Sequence, residues 1–258
     1  MDQLMRTSAG FGADTAAAFR SADPDDPAVS QPLGSGALVS WGAERYVNRA
    51  MGVSLDDLGD RELDELEAFY DLRGVPPSIE VVSWASPDLV ARLVARRFVP
   101  IRFNDVLVID PSRAVGAQES IAIHRVDDAA TEAWSDTFVA GFATTPEDEQ
   151  LNRELTRVVP LVPRSVHLIA EIDGAVAGCG SLYPQGPVGW IGGGATRPEF
   201  RQRGVQAALL HERLVYARQA GCMVAAATAV AGSPSSRNMQ RHGFTVCATI
   251  TIMTRPTP

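Results

Sequence analysis

The chain contains no lysine, and all 23 of its basic residues are arginines. This absence excludes a P-loop nucleotide site, because that phosphate loop requires a Gly-Lys-Ser/Thr sequence. The other charged residue types occur in ordinary numbers, and Ala, Gly and Pro are abundant. The missing lysine is therefore interpreted as the codon bias of a GC-rich genome.

Cysteine is almost as scarce. Cys179, Cys222 and Cys247 are odd in number, widely spaced and without a Cys-x-x-Cys pair. This pattern excludes a disulfide framework and a cysteine-based zinc site. It predicts reduced, buried thiols in a cytoplasmic protein.

Long apolar runs are also missing. No run reaches the roughly 18 residues that a membrane span requires, so no membrane association is expected. Residues 1–20 lack a continuous apolar stretch behind a basic end, so no signal peptide is predicted. The net charge of −8 argues against the basic face of a nucleic-acid binder. These features together predict a soluble cytoplasmic protein without a nucleic-acid partner.

The chain of 258 residues is long enough for two domains. Residues 1–36 carry clustered Gly, Ala, Ser, Pro and Asp, which predicts a helix followed by a loop. Periodic patterns then predict a first domain over 37–115 and a second over 119–258. The polar, breaker-containing stretch 111–118 is the predicted boundary.

From residue 120 the periodicity predicts the order β-α-α-β-β-β-α-β-α-β, a mixed sheet with helices on both faces. Asp173-Gly174 between two alternating runs predicts a tight hairpin. A strand-helix-strand-helix-strand pattern spans 45–109 and recurs over 188–253. The two halves are either copies of one unit or two unrelated α/β domains.

The segment between a predicted strand ending at Thr196 and a helix beginning at Gly204 carries the chemistry. The first turn of a helix has free N–H groups and the positive end of the helix dipole, which together bind anions. Gly204 lets the backbone approach a phosphate, and Arg201 and Arg203 add positive charge. The dinucleotide fingerprint does not fit, because Arg197 takes the place of its last glycine.

Residues 198–206, Pro-Glu-Phe-Arg-Gln-Arg-Gly-Val-Gln, resemble the pyrophosphate loop of the GNAT superfamily of N-acetyltransferases, usually written Arg/Gln-x-x-Gly-x-Gly/Ala. The preceding strand, the following long helix and residues 238–244 before a last strand also resemble the core of that family. The resemblance covers 120–258. It implies an α/β fold of tandem GNAT-like mixed sheets flanked by helices, with a complete C-terminal copy and a degenerate N-terminal copy.

The resemblance implies an acetyl-CoA-dependent N-acetyltransferase that acts on a primary amine of a small molecule. Acetyl-CoA would be the co-substrate, transfer would be direct within a ternary complex, and no metal would take part. The protein would be a monomer or a homodimer. A non-catalytic acyl-CoA sensor and a protein N-acetyltransferase are the alternatives. The acceptor and the acyl chain length are not determined by the sequence.

The resemblance also implies a set of cofactor-binding residues. Backbone amides of 201–207 would hold the CoA pyrophosphate, and residues 194–196 would pair with the pantetheine arm as an extra strand would. The set comprises Gly194, Ala195, Thr196, Arg201, Gln202, Arg203, Gly204, Val205, Gln206, Ala207 and Asn238. Gln206 departs from the family pattern, which has Gly or Ala at that position.

The catalytic residues are not assigned. The family often has a tyrosine four residues before the terminal glycine, but here that place is Met239, which cannot donate a proton. Ser235, Ser236 and His242 lie nearby in sequence, and each is more typical of a helix cap or a surface group. The strand over 188–196 has no carboxylate to act as a general base.

The triple glycine 192–194 predicts a bulged strand that exposes N–H groups able to stabilise an oxyanion. The alternative is close packing near the bulky Trp190. His167, Glu171 and Tyr183 lie on predicted strands or strand ends, where structural roles are expected.

In the resembling family, the loop between the first two helices borders the acceptor. Here that loop contains Phe142 and the acidic stretch 146–149, which either attracts a cationic amine or only begins a helix. In the first half, residues 52–60 are acidic and lack the Arg-x-x-Gly pattern. No CoA site is therefore expected there.

Overall fold

The computed structural model describes residues 1–113 and 120–256. The chain divides into two compact units. The first comprises Met1–Leu107 with Thr228–Pro258, and the second comprises Val108–Ala227. Each unit is an α/β structure in which helices flank a sheet of mixed strand directions, so the predicted fold class is confirmed. No helix in the described part of the chain is long and apolar enough to cross a membrane.

The bounds of these units differ from those of the predicted domains. The sequence places residues 228–258 in the second domain, whereas they lie in the first compact unit. The reason is a long-range pairing: the last strand runs antiparallel to Ser78–Val82, from Ile250 opposite Val82 to Thr254 opposite Ser78. Most of the predicted boundary at 111–118 lies outside the described residues.

The first unit has a sheet with the strand order β1-β2-β3-β4-β11-β5. Its helices and strands are α1 (Asp2–Ala22), β1 (Val29–Leu33), β2 (Gly36–Ser40), β3 (Asn48–Met51), α2 (Asp60–Asp71), β4 (Ser78–Val82), α3 (Pro87–Ala95), β5 (Val99–Ile109), α7 (Pro234–Arg241) and β11 (Thr245–Thr254). The apolar side chains of α2 and α3 pack against the sheet, with Leu63, Leu66 and Leu93 fully buried. Helix α2 begins at Asp60, and Gly59 is its N-cap residue.

Strand β1 corrects the expectation of a loop after the first helix. Residues 29–33 pair antiparallel with β2, although they include Pro32. Proline has no N–H to donate to a neighbouring strand, and β1 is the edge strand of this sheet. The missing donor therefore costs little at this position, and a proline that argues against a central strand is tolerated.

The second unit has the strand order β10-β9-β8-β7-β6. Its helices and strands are β6 (Ala122–Arg125), α4 (Thr131–Phe142), α5 (Pro146–Val158), β7 (Val166–Ile172), β8 (Ala175–Gln185), β9 (Val188–Thr196), α6 (Val205–Gln219) and β10 (Val224–Val230). Strands β6 to β9 are antiparallel, and β10 is parallel to β9. The element order predicted from residue 120 is confirmed, and so is the hairpin at Asp173-Gly174.

Two apolar layers cover the two faces of this sheet. On one face, Trp134 and Phe138 of α4 pack against Ile169, Cys179 and Ala195. On the other face, α6 packs against β7 and β8, and this layer contains Ile121, Leu168, Ala170, Ile172, Ala177, Val205, Ala208 and Leu209. Helix α4 and helix α6 are thereby held on opposite sides of β8 and β9.

Glycines on β8 set how closely α6 approaches the sheet. A Cβ atom at Gly178 would overlap Cγ1 of Val205 and lie 2.8 Å from the Ala195 carbonyl oxygen. We expect Gly178→Ala to lower the free energy of unfolding by about 1–3 kcal/mol, because the added methyl overpacks a close contact. Gly192→Ala is the control, since its Cβ would meet no atom within 4 Å. Urea unfolding measures both, and equal midpoints for the two variants would contradict the prediction.

Candidate functional site

The loop that precedes α6 has an unusual backbone. After a short 3-10 turn at Pro198–Phe200, Gln202 and Gly204 both have positive φ angles, of 66° and 82°. A left-handed residue followed by a helical one turns successive N–H groups toward one side, which forms an anion-binding concavity. Gly204 adopts this conformation without a steric cost, whereas Gln202 is strained there.

Helix α6 begins at Val205 without a side-chain cap. The first N–H that bonds back into this turn is that of Ala208, which donates to the Gly204 carbonyl at 3.1 Å. The N–H groups of residues 205–207 therefore remain available at the positive end of the helix dipole. Arg201 and Arg203 are exposed beside them. This arrangement is suited to binding a phosphate or a pyrophosphate.

Strand β9 contains a bulge within the triple glycine. Cys179 pairs with Ala195 and Ser181 pairs with Gly192, so two residues of β9 oppose one residue of β8. Gly193 takes the left-handed conformation there, with φ of 56°. The predicted bulge is confirmed. The glycines also allow close packing, which was the alternative interpretation. The neighbour at Gly193 is Phe138 and not Trp190: the Phe138 ring lies 3.2 Å from the position of an added Cβ.

Strands β9 and β10 are paired over only part of their lengths. The pairs run from Val188 opposite Val224 to Trp190 opposite Ala226, whereas β9 continues to Thr196. Beyond Trp190, β9 keeps β8 on one side. Its other edge presents backbone donors and acceptors that another extended chain can use. The predicted pantetheine-binding residues 194–196 lie on this part of β9.

Gln206 connects the two parts of the predicted cofactor site. Its side-chain amide donates to the Thr196 hydroxyl at 2.8 Å, and its Oε1 lies 3.1 Å from the position of an added Cβ at Gly194. The first turn of α6 and the end of β9 are therefore neighbours within the second unit. The long side chain at the position where the family has Gly or Ala is directed toward β9.

Sequence reasoning missed Arg213, which is 2% exposed on α6. Its guanidinium donates to the carbonyl oxygen of Gly192 at 3.1 Å and to that of Leu209 at 3.0 Å. It occupies space left by Gly180 and Gly194. Burial lowers the pKa of Arg213 to about 10, so the side chain is charged at neutral pH. The buried guanidinium fixes the carbonyl of Gly192, which precedes the bulge. Glycines at 180 and 194 on adjacent strands are the sequence feature that could have indicated space for a buried side chain.

The remaining predicted residues lie on α7 of the first unit. Asn238 and Met239 are in the helix, where Met239 is buried and its carbonyl accepts from the N–H of Phe244 at 3.1 Å. The Ser236 hydroxyl donates to Asp105 at 2.7 Å, and His242 caps the C-terminal end of the helix. The Met239 side chain is thus buried, and the Ser236 hydroxyl has a structural contact within this unit.

Acidic side chains at the loop between α4 and α5 form local hydrogen bonds and an ion pair. Asp148 accepts from the Thr144 hydroxyl at 2.5 Å, while its own N–H donates to the Thr145 hydroxyl at 3.1 Å. Glu149 forms an ion pair with Arg153 at 3.1 Å. Two of the acidic groups therefore stabilise the start of α5. Phe142, 44% exposed, stacks on Phe138 at a ring separation of 4.6 Å.

Comparison with known families agrees with this geometry. Residues 127–244 match the model of the Acetyltransferase (GNAT) family. The matched segment is less than half of the chain, and it is similar to the domain of the acetyltransferases of that family. No curated protein matches the chain.

Solved structures share the fold across nearly the whole length. A GCN5-related N-acetyltransferase from Kribbella flavida is 17% identical, with a TM-score of 0.63 and 96% of each chain covered. A tandem GNAT protein from the clavulanic acid biosynthesis pathway is 13% identical, with a TM-score of 0.62, covering 88% of this chain and 82% of that one. A GCN5-related N-acetyltransferase from Sphaerobacter thermophilus is 20% identical, with a TM-score of 0.56 and coverages of 98% and 95%. The fold is thus shared with GNAT proteins, including a tandem one.

Proposed function

We propose that the protein transfers an acetyl group from acetyl-CoA to a primary amine of a small molecule, directly, within a ternary complex. The observation that carries this proposal is the uncapped first turn of α6 behind Gly204, next to the part of β9 beyond Trp190, where the register with β10 has ended among the described residues. The first turn of α6 is suited to binding a pyrophosphate, and the edge of β9 is suited to binding the amide-containing pantetheine arm attached to it. Acyl-CoA molecules combine these two groups.

The charges in this region favour an anion. The protein as a whole carries a net charge of −8, yet Arg201 and Arg203 flank the α6 N-terminus. Arg203 forms an exposed ion pair with Asp173 at 3.6 Å and lies 5.4 Å from the centroid of the Phe200 ring, and such exposed contacts contribute little. Both guanidinium groups can therefore turn toward a bound phosphate at small cost. Backbone N–H groups would provide the geometry, and the arginines would add attraction.

The bulge on β9 supports acyl transfer chemistry. Attack of an amine on a thioester places negative charge on the carbonyl oxygen, which fixed backbone N–H donors stabilise. The bulge at Gly193 interrupts the regular ladder to β8, so it redirects N–H groups of this segment. Arg213 holds the preceding carbonyl in place from inside the protein. The donors are thus positioned before the substrate arrives.

Cys179 supports direct transfer over a thioester intermediate on the protein. It is the thiol beside the bulge, with its Sγ 3.8 Å from the Gly193 carbonyl oxygen. Burial raises the pKa of Cys179 to about 12. A thiol with this pKa is protonated at neutral pH and is a poor nucleophile. The amine would therefore attack the thioester itself.

The acceptor would approach from the α4 side of the sheet. Phe138 covers Gly193 there, and the half-exposed Phe142 extends the aromatic surface. Aromatic faces bind both apolar groups and cations. Glu147 is exposed at the start of α5, so it can add a negative charge for an ammonium group. A small amine with an apolar or aromatic part is the acceptor class that fits these side chains.

The first unit would lack a CoA site of its own. Residues 52–60 of this unit form a short 3-10 turn and an acidic segment that leads into α2. They do not form a loop flanked by arginines. Asp57 is paired there with Arg92, and Asp60 with Arg96. A pyrophosphate would meet carboxylates at this position. We therefore interpret the N-terminal copy as degenerate.

Calorimetry and a coupled amine screen test the proposal. We expect acetyl-CoA to bind with a stoichiometry of one per chain, because only the second unit has the site. At 100 times its Kd, acetyl-CoA should stabilise the folded state by about 2.7 kcal/mol, which a thermal shift detects. A panel of small amines, read by mass spectrometry and by release of free CoA, identifies the acceptor class.

The outcomes separate the alternatives. Binding without turnover of any amine would support an acyl-CoA sensor, for which Met239 at the usual tyrosine position is the motivating observation. Acetylation of peptides but not of small amines would support a protein N-acetyltransferase. The absence of binding at millimolar acetyl-CoA would overturn the proposal altogether.

A further inference from the structure

A polar pair lies inside the apolar layer between α4 and the sheet. His167 on β7 stands directly opposite Ser181 on β8, and His167 Nδ1 is 2.9 Å from Ser181 Oγ. The two residues are 6% and 9% exposed. Their neighbours in this layer include Trp134, Phe138 and Cys179. Burying polar groups here is less favourable than burying apolar ones of the same shape, so stability alone does not account for the pair.

The surroundings of the imidazole decide which nitrogen accepts. His167 Nε2 is buried, and no described residue forms a well-aligned hydrogen bond with it. The backbone of Val159 lies near the imidazole. A proton on Nε2 leaves the Nδ1 lone pair for the Ser181 hydroxyl. The Trp134 and His167 rings pack edge to face at a centroid distance of 5.0 Å, which fixes the plane of the imidazole. With the proton on Nε2, the Ser181 hydroxyl donates to Nδ1.

The imidazole is neutral under ordinary conditions. Burial, together with the smaller effect of the Arg125 charge, lowers the pKa of His167 to about 4. A neutral imidazole has a lone pair to accept a proton. Negative charge that develops nearby during acyl transfer raises the pKa of such a group, because it favours the cationic form. The capacity of His167 to accept a proton would therefore increase as the reaction proceeds.

Ser181 connects this pair to the bulge. Its Oγ lies 3.3 Å from the point where a Cβ of Gly193 would stand, and the ring of Phe138 borders the same point at 3.2 Å. Because residue 193 has no side chain, a polar atom or a water molecule can approach Ser181 from the β9 side. His167, Ser181 and Gly193 thus form a row across three adjacent strands.

We propose that Ser181 and His167 form the proton relay of the transferase site, which takes the proton released by the acceptor amine. The proposal rests on the proposed acetyltransferase function and names the general base that neither β9 nor α7 supplies. The attacking nitrogen forms a bond to the acyl carbon, and the bond from that carbon to sulfur breaks. The proton leaves the nitrogen through a water molecule beside Gly193 to Ser181 Oγ, while the Ser181 proton moves to His167 Nδ1. The thiolate takes a proton from solvent, and His167 later returns one to solvent.

Two substitutions interrupt this relay in different places. Ser181→Ala removes the central hydroxyl. His167→Asn keeps an amide oxygen where Nδ1 lies, so it can still accept from Ser181, but the amide cannot take up a proton. We expect either change to lower kcat about 100-fold or more, with the KM for acetyl-CoA nearly unchanged. The double variant should lose no more than the single variants, because the two groups act as a unit.

A proton inventory in mixtures of H2O and D2O distinguishes a relay from a purely structural pair. The wild-type kcat should show a curved dependence on deuterium fraction, since more than one proton moves. Ser181→Ala should show a smaller and linear dependence. Tyr183→Phe is the matched control: this buried residue lies two positions along β8, and its hydroxyl accepts from Arg164 at 2.8 Å. Its kcat and its isotope effect should equal those of the wild type.

The results separate this proposal from the proposed function. Acetyl-CoA affinity and thermal stability are measured for every variant, so that a misfolded protein is recognised, and Ser181→Thr, which restores a hydroxyl, should regain activity. An active wild type whose Ser181→Ala and His167→Asn variants turn over within about threefold of it, far below the effect of losing a base, would overturn the relay alone. Additive losses in the double variant would do the same. A wild type that acetylates no amine would overturn both proposals.

Discussion

Gly204→Glu is expected to abolish measurable binding of acetyl-CoA and to leave the fold intact. Gly204 precedes α6 with φ of 82°, where a side chain and a negative charge would occupy the proposed pyrophosphate position. A hydrogen bond to a charged group contributes about 1.5–3 kcal/mol. Losing two such backbone donors would raise the Kd by at least about 100-fold, since each 1.4 kcal/mol is tenfold. Isothermal titration calorimetry measures this change directly.

Gly221→Glu is the control for backbone strain and for added charge. Gly221 follows the other end of α6, its φ is 78°, and an added Cβ would meet no atom within 4 Å. Both variants place a glutamate in a left-handed conformation, so both should lose a similar small amount of stability. Only the change at Gly204 should affect the Kd. A folded Gly204→Glu protein with wild-type affinity would show that the loop is misassigned.

Gly193→Val is expected to reduce turnover strongly while acetyl-CoA still binds. A β-branched residue is strained at φ of 56°, and its Cβ would press on Phe138 at 3.2 Å and on Ser181 at 3.3 Å. The bulge would have to shift, and its N–H donors would move with it. Loss of one oxyanion donor costs about 100- to 1,000-fold in kcat. Steady-state kinetics with the acceptor found in the amine screen measures the effect.

Gly186→Val separates strain from function. Gly186 lies in the turn that joins β8 to β9, with φ of 55° and no atom within 4 Å of an added Cβ. It carries the same conformational penalty on the same strand pair, away from the bulge. We expect Gly186→Val to have the kcat of the wild type. Both Gly186→Val and Gly193→Val should bind acetyl-CoA with unchanged affinity. If both valines lowered kcat equally, the bulge would have no special part in turnover.

Local signals predicted much of the fold. Asp173-Gly174 between alternating runs predicts a hairpin because its left-handed residues match the strand twist, and the hairpin is present. The uncapped helix after Gly204 follows from glycine at a left-handed position before an apolar periodicity. The triple glycine predicted the bulge on β9. In each case the relevant interaction joins residues close in sequence, so the pattern contains it.

The sequence by itself determined the order of elements in the second half, the position of the loop before α6 and the bulge. Only the tertiary structure decided that β11 pairs with β4, that Arg213 is buried behind Gly192, and that His167 faces Ser181. These contacts join residues on different elements, and side-chain direction and strand register bring them together. Periodicity reports which face of an element is buried, but it does not specify which neighbour covers that face.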